Sequence, residues 1–197
     1  MSQGKSYILS ILFATAVLAS WVTIGYGGDK VVFHLSWSGD LPRWLEIIAL
    51  GVTVLGDGWV VVPLITAIAM LTRRSSDLRQ VAFWVAIFIA LLAPQIIKAM
   101  NPDTLRPWGA LPLDVIPGLD IATMKSFPSG HTAAGVFAWG YVAMGLNRKW
   151  ITVMCVILGI AVGWSRMALN MHWSWDVIVG ALLAVLALAM IDRIKTD

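Results

Sequence analysis

His131 ends a Phe-Pro-Ser-Gly-His stretch that starts at Phe127 and is followed at once by a long apolar run. Pro128 suits the first turn of a helix and Ser129 suits its cap, so the sequence predicts a helix start with outward-pointing N–H groups. Such a start attracts anions, phosphate above all, because several N–H donors and the helix dipole converge there. His131 adds a side chain that exchanges a proton near neutral pH. The stretch therefore supplies two components of a phosphate-transfer site, an anion-binding helix start and a proton donor.

A second group of reactive side chains comes later in the chain, where Arg166 is followed by His172 and Asp176. Positions four apart share a helix face, so we expect Asp176 to accept a hydrogen bond from one ring nitrogen of His172. The other nitrogen is then free to act as a nucleophile or base. Arg166 offers a planar fork for two phosphate oxygens. Ionisable groups are costly in membrane segments, so their crowding here favours a functional site.

Two cations and one acid have both functional and purely structural interpretations. Lys98 and Arg106 could bind phosphate, or they could be cations that snorkel to the membrane surface or cap a helix. We favour phosphate binding, because both are predicted to share a membrane face with the other two motifs. Asp57 lies between two glycines near the start of an apolar run. It could be a partner of Arg166 or another site cation, or simply an acid that suits a helix start.

The composition is that of a membrane protein. Of the 197 residues, 59% are hydrophobic and only 13% are charged, and the mean hydropathy is +0.81. The net charge of +3 comes from basic residues scattered between apolar runs, so we do not expect a nucleic-acid partner. The single cysteine, Cys155, excludes an intrachain disulfide. No cluster of metal-ligand residues at suitable spacing is evident, so we expect neither a metal nor another cofactor.

Six apolar runs predict an all-α fold, an integral membrane bundle of six transmembrane helices forming one domain over residues 1–197. Each run is close to the length that a helix needs to cross the hydrocarbon, although the fourth is short. The runs cover residues 6–26, 52–71, 81–100, 132–146, 150–169 and 173–191. We expect the first to be a retained span rather than a cleaved signal peptide. Residues 41–48 could form a helix lying in the membrane interface.

The distribution of basic residues predicts the orientation. With six spans, one side holds Lys5, Arg73, Arg74, Arg79, Arg148, Lys149, Arg193 and Lys195, and the other holds Lys30, Arg43, Lys98, Arg106, Lys125 and Arg166. The first set is larger and lies in short loops, so we expect it to be cytoplasmic, together with both termini. The phosphate-site residues would then face the periplasm or the cell exterior.

Taken together, the three motifs resemble the signature of the type 2 phosphatidic acid phosphatases, lipid phosphatases related to vanadium haloperoxidases. The family pattern is Lys-x6-Arg-Pro, then Pro-Ser-Gly-His, then Ser-Arg-x5-His-x3-Asp. The second and third motifs match in residues 128–131 and 165–176. The first departs from the pattern, because seven residues rather than six separate Lys98 from Arg106. An extra residue in the turn 101–103 would absorb this difference.

The resemblance implies a role for each matching residue. His172 would attack phosphorus and form a phosphohistidine, with Asp176 orienting it. His131 would protonate the leaving oxygen and then activate water. The phosphate oxygens would be held by Lys98, Arg106, Ser129, Gly130 and Arg166. Fixed cations and N–H groups stabilise the charge of such a transition state without reorganising, and no metal is needed.

The resulting hypothesis is a phosphatase of the bacterial inner membrane whose substrate is a lipid phosphate or diphosphate taken from the bilayer. By resemblance, the candidate substrates are undecaprenyl diphosphate, phosphatidylglycerol phosphate, phosphatidic acid and the lipid A 1- or 4′-phosphate. One alternative is a phosphotransferase that passes the phosphoryl group to another lipid. Another is a non-catalytic lipid-binding or transport protein. The sequence indicates neither the lipid nor the oligomeric state.

Overall fold

The structure, a computed structural model, describes residues 41–71, 77–101, 103–107 and 125–193. Its helices are α1 (Arg43–Thr53), α2 (Gly58–Leu71), α3 (Asp77–Ile87), α4 (Ala93–Met100), α5 (Gly130–Leu146), α6 (Lys149–Ala168) and α7 (Ser174–Arg193). A 3₁₀ turn, Val54–Gly56, follows α1, and a π turn, Phe88–Leu92, joins α3 to α4. Within these ranges no strand forms, apart from an isolated bridge between Leu105 and Lys125. The helical prediction is confirmed for this part of the chain.

Three helical segments of the described chain are long and apolar enough to cross a membrane: Gln80–Met100, Lys149–Ala168 and Ser174–Arg193. They agree with the third, fifth and sixth predicted runs. A fourth span is present if Arg43–Gly56 and Gly58–Leu71, which meet at 47°, are counted as one. The fourth predicted run corresponds to α5, which has 17 residues. The first predicted run, 6–26, lies outside the described residues, so the count of six spans stays a prediction.

Helix α5 is at the centre of the described bundle, where it packs against α2, α6, α7 and the π turn. It is apolar around most of its circumference, which is typical of a helix enclosed by others. Ala133, Phe137 and Ala138 are completely buried. Small residues allow close packing against α6: a Cβ atom on Gly135 would lie 3.0 Å from the side chain of Val162.

The second predicted run, 52–71, is not one continuous helix, and the prediction was wrong at this point. The chain breaks at Asp57, whose backbone is extended (φ −75°, ψ 142°). Oδ1 of Asp57 accepts a hydrogen bond from the N–H of Trp59 at 2.9 Å and so caps α2. The residues predicted to form an interfacial helix belong largely to α1, which continues to Thr53. A hydropathy pattern does not reveal a capping acid between two glycines.

The π turn in the third run has a local cause in Pro94. Proline has no N–H, so the carbonyl of Ala90 cannot receive the usual helical hydrogen bond from the residue four positions later. The helix widens here into the π turn before it continues as α4. Because a π turn holds more residues than an α turn, it changes the face of α4 on which Lys98 lies.

The helix order brings four helix ends together. Helices α4 and α6 end, and α5 and α7 begin, at the same end of the described bundle, because the four helices from α4 to α7 run alternately in opposite directions. The link between α5 and α6, at Asn147 and Arg148, lies at the other end. All three motifs therefore meet at one end of the bundle.

Candidate active site

The start of α5 has the predicted cap at Ser129. Its hydroxyl accepts hydrogen bonds from the backbone N–H of Thr132 at 3.3 Å and from Oγ1 of Thr132 at 2.8 Å. The N–H of Ser129 donates to the carbonyl of Asp176 at 2.9 Å, which ties this loop to α7. Pro128 was expected in the first helical turn, but it precedes the cap after a cis peptide bond. Ser129 has extended backbone, so the helix begins only at Gly130.

His172 and Asp176 form the predicted pair in a fully buried position. Nδ1 of His172 lies 3.4 Å from Oδ2 of Asp176. The same oxygen accepts hydrogen bonds from the N–H of Trp173, at 2.8 Å, and from the hydroxyl of Ser126. His172 is 1% exposed and Asp176 is 2% exposed. With Nδ1 directed at the carboxylate, Nε2 is the nitrogen available for chemistry.

The electrostatic surroundings keep His172 neutral. Burial, the positive charges of Arg166, Arg106 and Lys98, and His131 hold its pKa well below the usual 6.5. These effects outweigh the attraction of the nearby Asp176 carboxylate. A neutral imidazole retains the lone pair that a nucleophile needs. The same interactions place all three cations and His131 within electrostatic range of His172.

Arg166 is held deep in the bundle, at the end of α6, and is 3% exposed. Its Nη1 donates to Oγ1 of Thr53, on α1, at 2.7 Å. Its Nε is buried and makes no hydrogen bond to any described residue. Buried donors without an acceptor are costly, and a phosphate oxygen would satisfy this one.

Lys98 and Arg106 are also buried. Nη1 of Arg106 donates to the carbonyl of Met171, next to His172, at 3.2 Å. Burial lowers the pKa of the Arg106 guanidinium, and the Asp176 carboxylate partly offsets this. The N–H of Leu105 donates to the carbonyl of Asp103 at 3.1 Å, so the chain turns tightly at residues 103–105, just before Arg106. Both cations reach the site despite the additional residue between them.

His131 lies next to Asp57 at the edge of the site. Nε2 of His131 is 3.7 Å from Oδ2 of Asp57, and the two side chains are 36% and 40% exposed. Asp57 therefore contacts a predicted catalytic side chain and also caps α2, as the structural interpretation expected; its role as a partner of Arg166 or another site cation stays a prediction.

The predicted site residues are thus brought to one region, together with residues that sequence reasoning missed. Thr53 positions Arg166, and Ser126 bonds to Asp176. Neither belongs to a spacing pattern, so no sequence signal identified them. Among the described residues, no group of three or more His, Cys, Asp or Glu side chains is placed to hold a metal ion.

Comparison with known proteins identifies the family. The model of the PAP2 superfamily matches residues 81–196, more than half of the chain. The chain belongs to the PAP2 superfamily. This confirms the resemblance drawn from the three motifs, and the predicted enzyme class is also confirmed, since PAP2 proteins related to this chain are phosphatases acting on phosphate esters.

Named relatives of this PAP2 chain include three phosphatases. Decaprenylphosphoryl-5-phosphoribose phosphatase of Mycobacterium tuberculosis is 30% identical over 70% of this chain and 71% of its own. Undecaprenyl-diphosphatase of Sulfolobus acidocaldarius is 28% identical, covering 64% and 57% respectively. A putative undecaprenyl-diphosphatase of Escherichia coli is 26% identical, covering 75% and 72%.

Two solved structures share the PAP2 fold. The phosphatidylglycerolphosphate phosphatase of Bacillus subtilis superposes with a TM-score of 0.66 and 22% identity, covering 100% of this chain and 97% of its own. LpxE of Aquifex aeolicus has the same TM-score and identity, covering 82% and 93%. These two likenesses show that the chain has the PAP2 fold.

Proposed function

We propose that the protein removes a phosphoryl group from a lipid phosphate or diphosphate through a phosphohistidine formed on His172. The observation that carries the proposal is the set of buried cations, Lys98, Arg106 and Arg166, around the buried pair of His172 and Asp176. Buried positive charge is costly unless an anion compensates it. Asp176 supplies one negative charge, and a phosphate ester would supply the rest.

In the first step, Nε2 of His172 attacks phosphorus and the bond from phosphorus to the leaving oxygen breaks. His131 gives its proton to that oxygen, so the product leaves as an alcohol or as a protonated phosphate. Asp176 holds Nδ1–H of His172 and stabilises the positive charge that develops on the ring. Burial of the pair excludes water from the nucleophile.

In the second step, water attacks the phosphohistidine while His131, now neutral, takes a proton from it. The phosphorus–nitrogen bond breaks and inorganic phosphate is released. In both steps Arg166 and Arg106 offer forked donors to the phosphoryl oxygens, and Lys98 adds a point charge. Ser129 and the N–H of Gly130, at the start of α5, complete the proposed cradle.

The substrate we propose first is a polyprenyl lipid carrying a phosphate or diphosphate. Support comes from the relatives, whose names refer to decaprenylphosphoryl-5-phosphoribose and undecaprenyl diphosphate. Phosphatidylglycerol phosphate, named for one structural neighbour, is the second candidate. Phosphatidic acid and lipid A phosphates are the remaining candidate substrates. We further propose that the site faces the outer side of the bacterial inner membrane, as the distribution of basic residues predicts.

The test is phosphate release by detergent-solubilised protein from these lipid phosphates, measured for the wild type and for His172→Ala. We expect release from at least one lipid by the wild type, and its loss in the variant. A His172→Ala protein that retained the full rate would refute the phosphohistidine mechanism. Wild-type protein that binds the lipids without releasing phosphate would support the non-catalytic alternative.

A radiolabelled lipid diphosphate separates hydrolysis from transfer. The proposal expects the label in inorganic phosphate, and transiently on the protein after a rapid acid-free quench, since phosphohistidine is labile in acid. Label that accumulates on a second lipid, with no free phosphate, would identify a phosphotransferase instead.

A further inference from the structure

Asp57 has a carboxylate whose orientation is set by the backbone around it. Oδ1 accepts the N–H of Trp59 at 2.9 Å, and the backbone carbonyl accepts the N–H groups of Val60 and Val61 at 3.0 Å and 2.8 Å. One carboxylate oxygen is therefore used at the start of α2. The other, Oδ2, is turned toward His131.

The approach of Asp57 to His131 is enforced by close packing. A Cβ atom placed on Gly56 would lie 2.7 Å from the carbonyl oxygen of His131 and 2.6 Å from the side chain of Val162. Only glycine fits there without a shift. The turn that carries Asp57 is thus packed directly against the backbone of residue 131, which distinguishes this pair from two mobile surface side chains that meet by chance.

The charges around His131 suggest a role for the Asp57 carboxylate as a counter-charge. Three cations, Arg166 on α6, Lys98 on α4 and Arg106 in the loop that follows it, lie within electrostatic range of His131. The Asp176 carboxylate on α7 is occupied by Ser126, Trp173 and His172. Among the described residues, Asp57 is the carboxylate that supplies an opposite charge to His131. A general acid surrounded by cations needs such a counter-charge to hold its proton.

We propose that Asp57 is a positioning residue for His131: its negative charge stabilises the protonated form of the ring until the proton passes to the leaving oxygen. This inference rests on the proposed function, because it assigns His131 the role of general acid. It extends the site beyond the three motifs to the break between α1 and α2. The 3.7 Å separation leaves the ring free to turn toward a leaving group.

The chain allows the charge of Asp57 to be separated from its capping role. Asp57→Asn keeps the length of the side chain and an oxygen that caps α2, because asparagine and aspartate are about equally good at this position. It removes only the negative charge. Glu46→Gln is the matched control, since Glu46 is an acid in the first turn of α1 that pairs with Arg43 and takes no part in the site.

The decisive measurement compares kcat/KM for two substrates, an alkyl lipid phosphate and p-nitrophenyl phosphate. The alkoxide must be protonated as it leaves, whereas p-nitrophenolate leaves without a proton, so only the first substrate depends on a general acid. We expect Asp57→Asn to lower kcat/KM for the lipid about tenfold or more and to leave p-nitrophenyl phosphate nearly unchanged. Glu46→Gln should resemble the wild type with both.

Two results would overturn the inference. An equal loss with both substrates would show that Asp57 serves only the structure of the site, and no loss with either would show that His131 does not need it. Adding Asp57→Asn to a His131→Asn protein should cause no further loss with the lipid, since the two residues act as one unit. A further loss there would also contradict it.

The same variants distinguish a failure of this inference from a failure of the proposed function. If His172→Ala is inactive and Asp57→Asn behaves like the wild type, only the role of Asp57 is refuted. If His172→Ala is fully active, the phosphohistidine mechanism fails and the role of Asp57 fails with it.

Discussion

Replacing Gly180 with alanine tests whether the first turns of α7 hold the phosphate cradle in place. A Cβ atom at this position would lie 2.5 Å from the carbonyl oxygen of Ser129 and 3.4 Å from the backbone N of Ala133. Real Cβ atoms essentially never approach closer than 3.0 Å, so α7 and the Ser129 loop would have to separate by about half an ångström or more. Backbone atoms cannot move aside as the end of a flexible side chain can.

The expected consequences follow from this displacement. Overpacking of this kind costs about 1–3 kcal/mol of stability. A catalytic group misplaced by about 1 Å can cost on the order of 100-fold in rate, so we expect kcat to fall by about tenfold to 100-fold. The shift carries Ser129 away from Asp176, whose carbonyl accepts the Ser129 N–H at 2.9 Å.

The assay is phosphate release from a lipid phosphate, together with thermal unfolding in detergent. Gly51→Ala is the matched control, since a Cβ atom there meets nothing within 4 Å, and in the interior of α1 it should leave activity unchanged. A Gly180→Ala protein with wild-type kcat and stability would refute the reasoning that this contact fixes the cradle.

Three further predictions concern the same site. Thr53→Val removes the acceptor of the Arg166 guanidinium, so it should cost about 1–3 kcal/mol of stability and lower kcat/KM, whereas Thr53→Ser should retain most of both; equal behaviour of the two variants would contradict this. Because the pKa of His172 is held below 6.5 in the folded protein, the unfolded chain binds its proton first as the pH falls. Stability should therefore decrease below about pH 6.5, by up to about 1.4 kcal/mol per pH unit, and the decrease should be smaller in His172→Asn, as thermal unfolding across this range would measure. Turnover should persist in EDTA, and a loss that added metal restores would contradict the metal-free mechanism.

The sequence predicted which candidate site residues lie close together, because short intervals along the chain limit how far apart they can be. Asp176 is only four residues after His172, so the two are close in any case; His172 precedes α7, which begins at Ser174, and the pair therefore meets at the start of the helix rather than along one helix face as predicted. The cap at Ser129 was predicted on similar local grounds. The apolar runs predicted α5, α6 and α7 to within a few residues, since each run is set by burial or by lipid rather than by a distant contact.

The remaining features depend on contacts between residues far apart in the chain. Thr53 meets Arg166 across 113 positions, and Ser126 meets Asp176 across 50. No local pattern distinguishes these hydroxyl groups from others in the chain. The break at Asp57 was missed for a related reason, because the hydropathy of the run continues on both sides of it. Gly56 and Gly180 matter only because another backbone passes within contact distance.

The length of α5 has a consequence for where the reaction takes place. Its 17 residues rise about 26 Å, while the hydrocarbon layer of a bilayer is about 30 Å thick. With the polar link at Asn147 and Arg148 placed at one boundary, His131 stops short of the other by several ångströms. The phosphate of a lipid headgroup would then have to move from the membrane surface into the hydrocarbon layer before it reacts. The water for hydrolysis would have to reach the same depth.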